Sequence, residues 1–567
     1  MINLTKRKSF DIILLIGALV LALVFRLIRL GHTPLQDSEA EIALQALAAA
    51  EGSDTRFGSH MAVVGLTALD FFVFTSSNFL ARFWTAIFGV LIVLVPFLLR
   101  KQLGEKPAII LSFVLAIAPD MVGLSRLIGS PLVGLVCLLL ALVFFSHRKP
   151  ILFGVSLALG LMGGASFWFG ITILGVSFFL ATSVFHLLED SAVRRTKPKQ
   201  DFWLRGSIAF GITLAVVGTG FFLAPAGLSG IFTGLTDFMQ GFGGSYYSPY
   251  FHMPLVLAAY AAPAVLFGIW GSLRSAYLKS KPDLFLTIWW LVGLAFILLY
   301  PGSKPADMIW ISLPLWALSA RVIYFKLRLP ERSRLVVTAT VVMVVVVLAF
   351  VLLTLRAILG QSMTQQQQLN SLIALIGGLF LIIALVLLVN FGWSTDVAFS
   401  GFLIGLLIVF LVNMVSLSVN TTGLAPELSH EIWYQDGALI TTEWLERSLG
   451  RVISWNAQRG EPLEILVANY QKPGMEWVLR GYDEVYFVST LPPTSQAGIL
   501  ITDELSSPQL SEGYRGQDLV WERKARWAGL TAFQYLDWLV TREAPTTQAQ
   551  VIFWVRTDLM PDEQFSP

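Results

Sequence analysis

The chain has 567 residues, of which 55% are hydrophobic and 13% charged, with a net charge of +2 and a mean hydropathy of +0.71. A soluble protein of this size rarely passes about half apolar, and apolar runs of about 18 residues recur, so the composition describes a polytopic helical membrane protein. The near-zero charge gives no basis for nucleic-acid binding, the single Cys137 excludes a disulfide or a cysteine metal site within one chain, and the histidines (His32, His60, His147, His186, His252, His430) have no ligand spacing.

Lys6, Arg7 and Lys8 before an apolar run mimic a signal peptide. The run is long, ends in Arg26 and Arg29, and has no small-residue cleavage site, which predicts an uncleaved first span. Further spans are predicted near 80–99, 106–124, 127–146, 150–168, 169–187, 205–224, 253–273, 284–300, 305–322, 333–355, 370–391 and 396–418 after the first at 11–30. That makes about thirteen helices of bilayer length. The short breaks at Pro119, Pro131 and Gly163-Gly164 make 106–187 the segment where the count is least constrained.

Lys and Arg alternate by side. With a cytoplasmic N-terminus, the inner loops hold Arg100, Lys101 and Lys106; Arg148 and Lys149; Arg194, Arg195, Lys197 and Lys199; Arg274, Lys279 and Lys281; and Arg321, Lys326, Arg328, Arg332 and Arg334. The outer loops keep only Arg56, Arg82, Arg126, Lys304 and Arg356. This is the positive-inside pattern, and it places the first loop, 31–79, and everything after about residue 420 outside.

The first outer loop carries Asp37, Glu39 and Glu41 in PLQDSEAEIALQALAAAEG. Carboxylates crowded at a membrane surface lose solvation and repel one another, and usually persist because a ligand or chemistry needs them. The alternative is a solvated amphipathic helix. HMAVVGLTALDFFVF, further along the loop, is too short and interrupted to span and reads as an interfacial helix. A structured, acidic first loop is unusual for a transporter, which keeps its loops short and its charges mid-span.

Two later outer segments stand out. YPGSKPADMIWISLPLWALSA places Lys304 among few other cations, and APAGLSGIFTGLTDFMQGFGGSYYSPYFHMP is long, glycine-rich and aromatic. Its aromatics suit either sugar stacking or an interfacial belt. The tail, 425–567, is polar and tryptophan-rich; EILVAN, EVYFV, GILIT, DLVWE and QVIFWV read as short strands between helical stretches, predicting a small α/β domain after a transmembrane domain over 1–424.

The order of features resembles the GT-C superfamily of integral membrane glycosyltransferases, whose relatives include protein O-mannosyltransferases, the aminoarabinose transferase of lipid A and the RgtA/B/C/D-like group. The residues that carry the resemblance are Arg26 and Arg29 at the end of the first span, Asp37-Ser38-Glu39, Ala43 to Gly52, and Arg82-Phe83-Trp84-Thr85-Ala86 with Gly89. It covers about 11–420 in layout and about 20–130 and 296–320 at motif level. The chain departs from the family in having Ser38 between the two acids, and Ser130 in LSRLIGSPL where relatives carry a carboxylate; Asp120 lies just upstream. WYQDG at 433–437 matches the W-W-D-Y-G signature of oligosaccharyltransferases poorly and reads as a helix-start turn.

The resemblance implies a mainly α bundle and transfer of a sugar, with inversion, from a polyprenyl-phosphate carrier to a protein or glycolipid acceptor outside a prokaryotic plasma membrane. Such a reaction needs a carboxylate to take the acceptor proton and cations to receive the departing phosphate. Asp37 is the expected base, with Glu39 as the alternative, and Arg126 and Lys304 are the expected phosphate partners, with Asp120 and Glu41 as further substrate contacts. Snorkelling for Arg126 and a solvated turn for Lys304 are the competing readings. No cofactor is expected, and two carboxylates without a third ligand make a poor metal site. A lipid-linked-sugar flippase or transporter, and a non-catalytic GT-C-like assembly protein, are the rival functions.

Overall fold

The computed structural model describes residues 2–53, 56–184, 200–244, 252–326, 334–360, 364–422, 431–434, 436–456, 463–492, 495–504, 510 and 513–560. Among these, ten helices are long and apolar enough to cross a membrane: Phe10–Leu27, Asn78–Leu98, Ala165–Ser183, Gln200–Gly218, His252–Leu278, Lys281–Leu299, Pro305–Lys326, Arg334–Leu359, Gln365–Gly392 and Thr395–Thr421. The chain is a multi-pass membrane protein.

Three of the expected spans have a different form. The one near 106–124 is a broken pair, Glu105–Ile117 and Pro119–Ser125, bent by 55°. Pro119 removes a main-chain donor and biases Ala118 to extended backbone, observed at φ −65° and ψ 126°, which forces the break. Those near 127–146 and 150–168 are helices of 15 and 12 residues, Leu132–Ser146 and Pro150–Leu161. At about 1.5 Å per residue they reach roughly 22 and 18 Å, less than the hydrocarbon thickness. Pro131 precedes the first, and the second ends before Gly163-Gly164, where Gly164 takes φ +88°.

The bundle packs on small residues, as expected where lipid supplies no hydrophobic drive between helices. A Cβ on Gly170 would fall 2.0 Å from the Trp310 ring, and one on Gly154 2.2 Å from the Gly206 carbonyl. The predicted interfacial helix is Met61–Val73. It buries Met61 to Gly65, Thr67, Ala68 and Phe71 and leaves Phe72, Val73 and Phe74 exposed.

The tail forms a six-stranded sheet: β1 (Ala438–Leu439), β2 (Ile465–Ala468), β3 (Val485–Val488), β4 (Ile499–Asp503), β5 (Tyr514–Ala525) and β6 (Thr546–Arg556), in the order β1-β5-β6-β4-β2-β3. β3, β2 and β4 are parallel; β6, β5 and β1 add antiparallel. All five apolar runs expected to be strands are strands. Ile465, Val467, Ile499, Ile501, Trp521, Val551 and Phe553 point to one face and meet Leu445, Leu449 and Val452, one stripe of the Thr442–Asn456 helix.

This α/β unit is seated in the bundle. The Ala532–Thr541 helix, inserted between β5 and β6, buries Trp538 beside Tyr260 of the His252–Leu278 helix, and Tyr535 hydrogen-bonds His252. Arg542 donates to the Ala259 carbonyl at 2.7 Å with its guanidinium over the rings of Tyr260 and Trp538. Trp433 stacks 4.0 Å from Tyr260 and lies where a Gly123 side chain would stand. Trp433, Trp477 and Trp538 are each almost wholly buried, and full burial of such rings is worth about 1.5–3 kcal/mol apiece.

Candidate active site

The site grows from one short helix, Asp37–Ala50. Gln36 and Glu39 close a capping box at its start, and the acidic first turn suits the helix dipole. Ala40, Ala43, Ala46 and Ala49 are its buried stripe. At about 100° per residue, Asp37 and Glu41 share a face, while Glu39 points roughly the opposite way. The periodicity thus sorts the three acids.

Glu39 turns inward and is 1% exposed. Its carboxylate pairs with Arg82, whose Nε donates to Oε1 at 2.9 Å, and it also accepts the Ile128 N–H at 3.2 Å and the Gln36 N–H at 3.3 Å. Arg82 spends its other donors on Leu30 O, Thr33 O, Thr33 Oγ1 and Pro34 O at 2.8–3.2 Å. The pair ties the loop after the first span to the start of the Asn78–Leu98 helix. Glu39→Gln leaves Arg82 as a buried charge without its anion, and the expected cost is about 3–5 kcal/mol, read as a lower melting temperature in detergent. An unchanged melt would show that the pair does not hold the loop.

Asp37 turns toward the C-terminal unit. Its Oδ1 accepts the Gly474 N–H at 3.0 Å, and Lys472 Nζ lies 3.8 Å from Oδ2. Its side chain keeps 19% exposure. Burial raises its pKa above the ordinary carboxylate value, against the opposing pull of the Gly474 hydrogen bond and of Lys472. The next residue is held from the same side: the Ser38 N–H donates to Asp436 Oδ2 at 2.8 Å. WYQDG is therefore a contact segment more than a helix-start turn. Trp433 anchors it in the bundle and Asp436 caps Ser38. The Tyr434 phenol, pushed up to about 12 by burial and then by the charge of Glu39, stays neutral.

Arg126 points away from solvent. NH1 donates to the carbonyls of Phe25, Arg26 and Ile28 at 2.9–3.3 Å, and NH2 to those of Arg29 and Thr422 at 3.0–3.3 Å. It closes the C-terminal end of the first span, where orphan carbonyls need a cationic donor. This differs from both expectations for it, a phosphate contact or a snorkelling arginine. Asp120 is fully buried in the short Pro119–Ser125 helix, accepting the Met121 N–H at 2.9 Å and the Trp316 Nε1–H at 3.4 Å, and its charge acts on Arg26. The Arg26 guanidinium itself donates to the carbonyls of Leu115 and Ala116 at 2.9–3.0 Å, along the bent pair.

Lys304 is exposed at the turn before the Ile309–Lys326 helix, its N–H donating to Asp307 Oδ2 at 2.9 Å. Its charge faces His60. Burial first, and then Lys304, lower the His60 pKa to about 4, so that imidazole is neutral at pH 7. His60 packs against Gly129 and Gly164, and Ile42 of the acidic helix touches the same Gly129. His60 and the acidic helix thus meet across Gly129.

Glu41 is exposed on a cleft of about 400 Å³ lined by Leu44, Gln45, Glu51 and Arg56 from the loop and by Pro473 and Glu476 from the C-terminal unit. Glu41 stands one helical turn from Asp37. Among the described residues, no group of three His, Cys, Asp or Glu converges to hold a metal ion. Sequence reasoning singled out Asp37 and Lys304 but missed Lys472, Gly474 and Asp436. Lys472 and Gly474 sit at the start of the short Pro473–Leu479 helix and Asp436 just before β1, in a unit whose approach to the bundle leaves no local pattern.

No family model matches this sequence, and no curated protein matches it. Among solved structures, the chain is similar to ArnT from Cupriavidus metallidurans bound to undecaprenyl phosphate, at 13% identity and a TM-score of 0.56 over 98% of this chain and 99% of that one. The apo state of that protein gives 13% identity and 0.51 over 98% and 100%. An oligosaccharyltransferase of Archaeoglobus fulgidus in the apo form is also similar, at 14% identity and 0.43 over 87% of this chain and 66% of that one. The chain shares the fold of ArnT over nearly its whole length, the GT-C-like arrangement that its sequence layout led us to expect.

Proposed function

We propose that this protein is a membrane glycosyltransferase that moves a sugar from a polyprenyl-phosphate carrier to an acceptor at the outer face of a prokaryotic plasma membrane, with Asp37 as the general base. One observation carries the reading: in an ArnT-like fold, Asp37 is a partly exposed carboxylate one helical turn from Glu41, which lines a cleft, while its neighbour Glu39 is committed to Arg82. A base must reach its substrate, and of the two only Asp37 has an open side.

Asp37 takes the proton of the acceptor hydroxyl or amine as that atom attacks the anomeric carbon. The bond from that carbon to the carrier phosphate breaks, and the phosphate leaves as an anion. Lys304 is the cation assigned to that anion, being exposed and acting on His60, which meets the acidic helix across Gly129. Arg126, with both terminal nitrogens on carbonyls, supports the first span instead. Glu41 borders the cleft on the acceptor side. Asp120 acts inside the bundle, with Arg26, to hold the bent pair.

The experiment is reconstitution in liposomes with a panel of polyprenyl-phosphate-linked hexoses and pentoses, following release of free polyprenyl phosphate by wild type and by Asp37→Asn. Release by wild type alone supports the reading. Movement of intact donor across the bilayer without release would instead favour a flippase.

The orientation follows from the Lys/Arg alternation. In a Cys137→Ser background, a membrane-impermeant maleimide added outside intact cells is expected to label Gln548→Cys and not Lys101→Cys, both exposed positions. The reverse pattern would invert the topology and overturn every site assignment.

A further inference from the structure

The contacts of Asp37 come from the C-terminal unit rather than from the membrane bundle. The loop after β2 brings Lys472 Nζ to 3.8 Å from Oδ2, and Gly474 donates its N–H to Oδ1 at 3.0 Å. Lys472 is itself fixed. Its Nζ lies 2.5 Å from Glu522 Oε2 on β5 and 5.1 Å from the centre of the Tyr470 ring. Glu522 in turn accepts the Gly437 N–H at 3.0 Å, next to the Asp436 that caps Ser38. The groups facing Asp37 are thus one cation, Lys472, two carboxylates, Glu522 and Asp436, and the phenol of Tyr470.

The approach at Gly474 is close. A Cβ there would stand 2.7 Å from Asp37 Oδ1 and 2.9 Å from Leu439 Cδ1, so any larger residue must displace the carboxylate or the loop. The Pro473–Leu479 helix that carries Gly474 is also braced against the bundle: Trp477 Nε1 donates to Asn78 Oδ1 at 2.7 Å, and Arg480 Nε at its C-cap to Ser76 Oγ at 3.0 Å.

We infer that Lys472 and Gly474 are positioning residues for the transferase reaction, aiming the Asp37 carboxylate and keeping it ionised, so that the extramembrane unit furnishes one wall of the active site. The inference rests on Asp37 being the base. A charge-assisted contact on one oxygen and a main-chain N–H on the other fix the carboxylate plane, leaving its remaining lone pairs to the acceptor. A cation at this distance also favours the charged form.

The sign of the pH effect follows. Removing Lys472 withdraws the cation and leaves the Glu522 carboxylate uncompensated. Both changes favour protonated Asp37, so activity is lost at a higher pH on the acid side. The expected shift of the acid limb of kcat in Lys472→Met is about one pH unit upward, with Lys472→Arg returning it toward wild type. Gly474→Ala keeps the charges and moves the carboxylate. It is expected to lower kcat at least tenfold, with the KM for the polyprenyl-phosphate-linked sugar little changed and the melting temperature close to wild type.

A purely structural role would change melting or yield and leave the acid limb in place. Wild-type kcat in Gly474→Ala together with an unmoved limb in Lys472→Met, while Asp37→Asn is inactive, would overturn this inference and leave the base assignment standing. Full activity of Asp37→Asn would overturn both.

Discussion

Asp37→Asn is expected to abolish sugar transfer while the protein still inserts and melts like wild type. The amide keeps the shape of the carboxylate, and its oxygen still accepts the Gly474 N–H, but it cannot take a proton. Loss of a general base commonly costs about 10²–10⁴-fold in rate, or about 3–5 kcal/mol of transition-state stabilisation. The wild-type profile adds a second check. Burial holds the Asp37 pKa above its ordinary value, so the basic form disappears as the pH falls through that raised pKa. The acid limb of kcat is therefore expected above the usual carboxylate range and should be absent from whatever activity Asp37→Asn retains. Wild-type turnover at saturating donor would remove Asp37 from the chemistry. Glu39→Gln is no substitute for this experiment, because it breaks a buried ion pair and lowers stability together with activity.

The same acids show how far the sequence could be read. The spans, the α/β tail and its strands follow from hydrophobic run length and period, which are local properties. The GT-C layout follows from the order of those runs and a few motif residues. What separates Asp37 from Glu39 is helical phase, available once the helix is known to start at Asp37. Ser38 between the two acids places them about 200° apart and gives them different partners. Arg126 could not be placed from its sequence position: the carbonyls it caps are about 100 residues earlier in the chain, and one, Thr422, is about 300 later. Lys472 and Gly474 were illegible for the same reason. Their partner lies 437 residues from Gly474, and it is the docking of the C-terminal unit, with Trp433, Trp477 and Trp538 buried in it, that brings the two together. WYQDG was read as a local turn, and its meaning proved to be long-range.

The expected effect of Lys304→Ala is a loss of roughly a hundredfold in turnover at saturating donor, about 2–4 kcal/mol of transition-state stabilisation. The leaving phosphate gains negative charge as its bond to the sugar breaks, so a cation beside it acts more on kcat than on donor binding. Among the described residues, the charge of Lys304 acts on two titratable groups, His60 and Asp307, and neither is a replacement cation at pH 7. Removing the lysine lets the His60 pKa rise from about 4, but burial is the larger cause of its depression and persists, so the imidazole stays uncharged at pH 7. Arg126 is held by five carbonyls and would have to release the end of the first span to reach a phosphate. Lys304→Arg restores the charge with a different donor geometry and is expected to recover part of the rate. A lysine in a merely solvated turn would cost almost nothing when removed, so full turnover in Lys304→Ala would move the phosphate site elsewhere. If Asp37 and Lys304 act as one unit on the same carbon, the double variant should be little worse than Asp37→Asn alone, whereas losses that simply multiplied would mean that the two residues contribute independently.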